Sequence, residues 1–102
     1  MTGANLIAAE RQRQITSEGW SPDHDSSNTN YQLSDAAVSY ATAGYGGPYS
    51  HPRAGHPPES WPWGAEWWKP SSDPIRNLVR AGALIAAEID RLQRTAAERQ
   101  GE

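Results

Sequence analysis

Four tryptophans, Trp61, Trp63, Trp67 and Trp68, fall within eight residues of this chain, and three cations, Lys69, Arg76 and Arg80, follow them. Indole faces stack on planar rings, guanidinium groups grip phosphate oxygens two at a time, and an ammonium supplies a point charge. This order of residues predicts a site for a small anionic, nucleotide-like ligand. One or more of the tryptophans would stack the base, Lys69, Arg76 and Arg80 would hold the phosphates, and Tyr40 or His24 would add a polar contact. The competing reading makes the four rings a miniature core with solvated cations beside it. Because the chain contains no Phe and no Cys, most of its large apolar surface sits in this one stretch, and the two readings can share residues.

Other reactive residue types are present without the spacing that chemistry needs. His24 lies between Asp23 and Asp25, and a carboxylate beside an imidazole can orient it and raise its pKa. Three consecutive residues do not normally converge on one ion, so turn chemistry explains them more simply. His51, His56 and Glu59, with His24, are candidate metal ligands, but the histidines adjoin Pro52 and Pro57 and lack a regular ligand interval. There is no nucleophile elbow and no Gly-rich phosphate loop. Glu88 and Asp90 are two residues apart and point in different directions on a helix. The sequence therefore predicts binding without catalysis, no metal and no cofactor.

Three helices must position the aromatic stretch, and the expected fold is all-α. Residues 4–17 are strong helix formers ended by Gly19, with Ile7, Ala8, Arg11 and Ile15 on one side. Glu10, Arg13 and Gln14 then read as part of a solvated face. Pro22 and short polar residues mark a turn with Trp20 as its anchor. Thr29 to Gln32 fits a capping box for a second helix over 30–43, whose Leu33, Ala36, Ala37, Tyr40 and Ala41 recur at helical spacing. Ten Gly and Pro residues deny regular structure to a long connection over 45–73. Within it, a single turn at Gly64–Trp67 would bring Trp63 and Trp67 to one side. Asp73 as a cap and Pro74 as the first residue begin a helix running to about 97. Its apolar stripe, Ile75, Leu78, Val79, Gly82, Ile85, Ala86, Ile89, Leu92 and Ala96, reads as the core face. Arg76 and Arg80 stand one turn apart without an acidic partner at helical spacing in that helix. Gly82, costing about 1 kcal/mol in a helix interior, marks a close approach.

With 102 residues, a net charge of −3 and twelve Leu, Ile and Val together, this is one domain short of aliphatic core. Such chains often complete themselves by association, so a homo-oligomer is expected. Mild acidity argues against general nucleic-acid binding. No apolar run reaches membrane-spanning length, and no signal-peptide core precedes the first helix, so a soluble cytoplasmic protein with no membrane contact is expected.

The segments Glu10 to Gln14, Gly19 to Asp25, Trp61-Pro62-Trp63, Trp67-Trp68-Lys69-Pro70 and Asn77 to Leu92 resemble a family of small proteins of tailed phages and prophages. The resemblance covers nearly the whole chain outside 45–60. After Asp25 the family pattern has a further His and a Gly-Glu pair, where this chain has Asn28, Tyr31 and Gln32. The resemblance implies a phage accessory protein in a bacterial host cell. By analogy of pocket chemistry, such a protein can be a sponge that sequesters host immune signalling nucleotides. Two alternatives remain: a metal-dependent α-helical nucleotide pyrophosphohydrolase using Asp25, Glu88 and Asp90, and a protein-protein adaptor that inhibits a host enzyme through the Trp block.

Overall fold

The structure, a computed structural model, describes residues 1–19, 25–29, 31–43 and 56–101. The protein is all-α. Its elements are α1 (Gly3–Glu18), α2 (Gln32–Ala43), a 3₁₀ turn (Ala65–Trp67) and α3 (Pro74–Gln100). The helix α3 is the spine, and both α1 and α2 pack against it. None of the described helices is long and apolar enough to cross a membrane.

Local chemistry sets the helix ends. Thr2 caps α1 by accepting from the backbone N–H of Asn5, and Gly19 closes it at φ 71°, in the left-handed region where a side chain is costly. Asp73 caps α3 by accepting from the N–H of Ile75 at 3.0 Å, with Pro74 in the first turn where its missing N–H is harmless. The start of α2 departs from the expected capping box. Tyr31 has φ 64°, so the residue that would have lain in the first turn is not helical, and α2 begins at Gln32.

Leu33, Ala36, Ala37 and Tyr40 of α2 meet Ala81, Leu84 and Ala87 of α3, with Trp61 and Trp68 completing the cluster. Short alanine side chains on both helices leave the volume between them to the large rings. Two of the expected helix faces are corrected by this packing. On α3 the buried residues are Asn77, Val79, Ala81, Ala83, Leu84, Ala87 and Glu88. Of the predicted stripe, Val79 is buried, whereas Ile75, Leu78, Ile85, Ile89 and Leu92 are exposed. The aromatic cluster selects the alanine-rich side because only small residues leave room for Trp61 and Trp68. On α1 the buried residues are Glu10 and Gln14 rather than the aliphatics; Arg76 of α3 and Arg13 of α1 itself pair with Glu10, and Gln14 lies against Glu10, as described below.

Gly82 is a point of close approach, as its position in the helix implied. A Cβ there would lie 2.5 Å from Cδ1 and 2.8 Å from Cγ1 of Ile7, so α1 rests its Ile7 side chain on the glycine.

Candidate functional site

The tryptophan stretch is fastened to the helices at three places. Ser60 Oγ lies 2.7 Å from Ser39 Oγ on α2. Asn77, buried on α3, donates its Nδ2 to the Ser71 carbonyl and accepts from the Ser71 N–H on its Oδ1, both at 2.8 Å. Arg80 donates from Nη1 to the Lys69 carbonyl at 2.6 Å. Between these ties the chain makes one 3₁₀ turn, with the Trp67 N–H bonded to the Gly64 carbonyl.

The four rings divide between core and surface. Trp68 is 1% exposed; its ring lies 4.8 Å from Tyr40 and 4.9 Å from Trp61, centroid to centroid. Its Nε1 is buried without a hydrogen-bond partner. Trp61 is also buried, edge-on to Tyr40, and donates its Nε1 to the Gly64 carbonyl at 3.1 Å, which fixes the turn. Trp63 is half-buried and meets Trp61 at right angles, 5.2 Å between centroids. Trp67 is 62% exposed, with the Lys69 ammonium 5.9 Å from its ring centroid.

A cleft of about 820 Å³ opens beside these rings, lined by Trp61, Trp63, Trp67, Lys69, Arg80 and Tyr40. Six of the nine residues that the sequence nominated thus meet at one cavity. Trp68 is not in its lining and belongs to the core. Arg76 is also outside the lining: its Nη2 donates to Glu10 Oε1 at 2.8 Å, so its acidic partner comes from another helix. His24 lies outside the described residues, as do Trp20, Asp23 and His51.

The α1 wall of the cleft was not read from the sequence. It carries Glu10, Arg13, Gln14, Ser17 and Glu18. Glu10 is the hub of this wall, receiving Arg13 at 2.7 Å and Arg76 at 2.8 Å. Burial alone would raise its carboxyl pKa, but the hydrogen bond from Arg13 and the charge of Arg76 outweigh burial and hold it below the ordinary 4.5. Gln14 is 1% exposed. Its Nε2 lies 3.4 Å from Glu10 Oε2, and its Oε1 has no hydrogen-bond partner. The signal for this wall was a Glu, an Arg and a Gln within five residues of α1, but i,i+3 pairs of that kind are usually solvated.

The opposite wall is cationic and open. Lys69 and Arg80 have no carboxylate within ion-pair distance among the described residues. Arg80 holds its guanidinium 5.7 Å from the Tyr40 ring centroid. Burial raises the Tyr40 phenol above its usual 10, and the nearby Arg80 charge only partly offsets this, so Tyr40 is a neutral hydroxyl at physiological pH.

Compared with protein-family models, with curated proteins and with solved structures, the chain matches none. The site must therefore be judged by its own chemistry.

Among the described residues no group of three His, Cys, Asp or Glu side chains is placed to bind a metal ion. Of the three carboxylates that a pyrophosphohydrolase would need, Asp25 is ion-paired to Arg11 and Glu88 to Arg91, while Asp90 is exposed on α3. The three are not gathered at the cleft. His56 and Glu59 are both exposed.

Proposed function

We propose that the protein binds a small anionic, nucleotide-like ligand in this cleft without altering it. The observation that carries the reading is the pairing of an exposed aromatic face with cations that have no acidic partner among the described residues. Trp67 and the half-buried Trp63 offer stacking faces, and Lys69 and Arg80 stand beside them for phosphate oxygens. Base stacking on an aromatic side chain contributes roughly 1–3 kcal/mol, and charge-assisted bonds from an arginine add orientation as well as affinity. Tyr40, Trp61 and Trp68 hold the site rigid from beneath, while Glu10 takes Arg76 and Arg13 out of competition for the ligand. The biological reading is a phage accessory protein in the cytoplasm of a bacterial host, working as a homo-oligomeric sponge for host immune signalling nucleotides. It rests on the resemblance to phage proteins and on the pocket chemistry.

Thermal-shift measurements against cyclic nucleotides, ADP-ribose derivatives and nucleoside triphosphates, with and without magnesium, test the reading. Stabilisation by one class, with unchanged ligand recovered by mass spectrometry after heat release, is expected. An altered product would instead favour an enzyme. No shift with any class, together with recovery of one host protein on immobilised protein, would favour the adaptor.

A further inference from the structure

The α1 wall of the cleft carries a side chain that is incompletely bonded. Leu33, Leu84 and Gln14, each 1% exposed, line the most buried part of the cavity. The two leucines offer no polar atom, so Gln14 is the polar group of that trio. Among the described residues that line the cleft, Gln14 alone has a buried side-chain atom, Oε1, without a hydrogen-bond partner. A buried acceptor that has lost water and gained no donor is destabilising, and folded proteins keep few of them.

The orientation of the amide follows from its neighbour. Glu10 receives Arg13 at 2.7 Å and Arg76 at 2.8 Å, so it is an ionised carboxylate that can only accept. Gln14 therefore turns its NH2 toward Glu10, with Nε2 3.4 Å from Oε2. An amide with both ends free pairs with a donor or with an acceptor; this one has only its acceptor to offer. The complement is an N–H donor on the ligand. Because the bond to Glu10 is long, the side chain can turn to present Oε1 without giving up a strong contact.

We propose that Gln14 selects the base of the ligand by accepting from an exocyclic amine, that of adenine or cytosine. This rests on the nucleotide-binding reading of the cleft and sharpens it. With the phosphates at Lys69 and Arg80 and the ring against Trp63 or Trp67, the free edge of the base meets the α1 wall. The amine stands clear of the ring and donates to Oε1. Hypoxanthine and uracil carry a carbonyl oxygen where adenine and cytosine carry the amine, so acceptor would meet acceptor, with the Glu10 carboxylate close behind. Adenine and hypoxanthine have nearly the same shape, so stacking and phosphate contacts cancel between them and the hydrogen bond decides. A site that bonds a donor of its ligand rejects the analogue lacking it far better than shape alone can.

Calorimetric titration of the full chain with three matched pairs tests this: ATP against ITP, cyclic AMP against cyclic IMP, and CTP against UTP. The amino member of at least one pair should bind more tightly by about tenfold to a hundredfold. Gln14→Met, which keeps the length and removes both polar ends, should weaken the amino member and abolish the preference, while leaving affinity for the oxo member unchanged or higher. In wild type, the side-chain amide proton signals of Gln14 should shift when the amino member is added, which reads the contact without a variant. Equal binding of amino and oxo members to wild type would overturn the assignment of Gln14 and leave the nucleotide reading standing. So would a Gln14→Met protein that keeps the preference, or amide signals that do not move on binding. No binding by any of the six would overturn the nucleotide reading itself, and this inference with it.

Discussion

Arg80 stands over the ring of Tyr40, 5.7 Å from its centroid, and at the same time bonds the carbonyl of Lys69. One side chain from α3 therefore reaches both α2 and the segment that follows the tryptophans. A guanidinium has five N–H donors, and this bond occupies one of them. Replacing Arg80 by Ala should cost only about 1 kcal/mol of stability, because the lost bond is exposed, yet lower ligand affinity by roughly tenfold or more. Arg80→Lys should restore part of the affinity through charge alone. Denaturant melts and calorimetric titration separate the two effects.

The tryptophans should separate in the same way. Trp68→Ala empties the centre of the core and should cost about 3–5 kcal/mol, enough to unfold much of a small domain. Trp68→Phe should be far milder, since it keeps most of the volume and removes the buried Nε1 that lacks a partner. Trp67→Ala, at an exposed position, should change stability by less than about 1 kcal/mol while weakening binding. Urea midpoints for the three variants check this order.

Asn77 clips the end of the tryptophan segment to α3 through two bonds to Ser71. Asn77→Leu should leave both Ser71 groups without these partners and bury an awkward shape, costing about 2–3 kcal/mol. Hydrogen exchange should show the Ser71 amide losing protection in this variant. Unchanged protection would mean the clip does not hold the segment.

Glu10 predicts a pH dependence with a definite sign. Its folded pKa lies below the ordinary 4.5, so the unfolded chain binds its proton first as the solution is acidified. Its contribution is fully present above about pH 4.5 and is lost as pH falls through the folded value. Because Arg13 and Arg76 are each about a third exposed at their side chains, the ion-pair contribution is partly screened, and Glu10→Gln should cost about 1–2 kcal/mol at neutral pH. The gap in stability between wild type and variant should be constant above about pH 4.5 and narrow as pH falls further below it. A gap that stays the same, or widens, on acidification would contradict this assignment.

The legible parts of the chain were those governed by local chemistry. Gly19 as a stop, Asp73 with Pro74 as a start, and Gly82 as a close approach each rest on one residue's own conformational limits or size, and each can be read without knowing the fold. The faces of α1 and α3 were misread for a common reason. Aliphatic periodicity marks a surface that prefers to be covered, but does not say by what. On α3 the aromatic segment claimed the alanine side, leaving the aliphatic stripe outward; on α1 the charges of Arg13 and Arg76 made it possible to bury Glu10. Both outcomes depend on partners distant in sequence. The site was legible to the extent that aromatics and cations were adjacent, which brought Trp61, Trp63, Trp67, Lys69 and Arg80 to one cleft. Arg76 fell outside because its carboxylate partner lies sixty-six residues earlier in the chain.

The most direct test of the account is a calorimetric titration of wild type and Trp67→Ala with a panel of cyclic nucleotides, ADP-ribose and nucleoside triphosphates. At least one should bind wild type saturably, with affinity that falls as salt rises and drops roughly tenfold or more in the variant, in keeping with the loss of a stacked base. Binding of equal strength to both proteins, or no binding heat from any member of the panel, would contradict it.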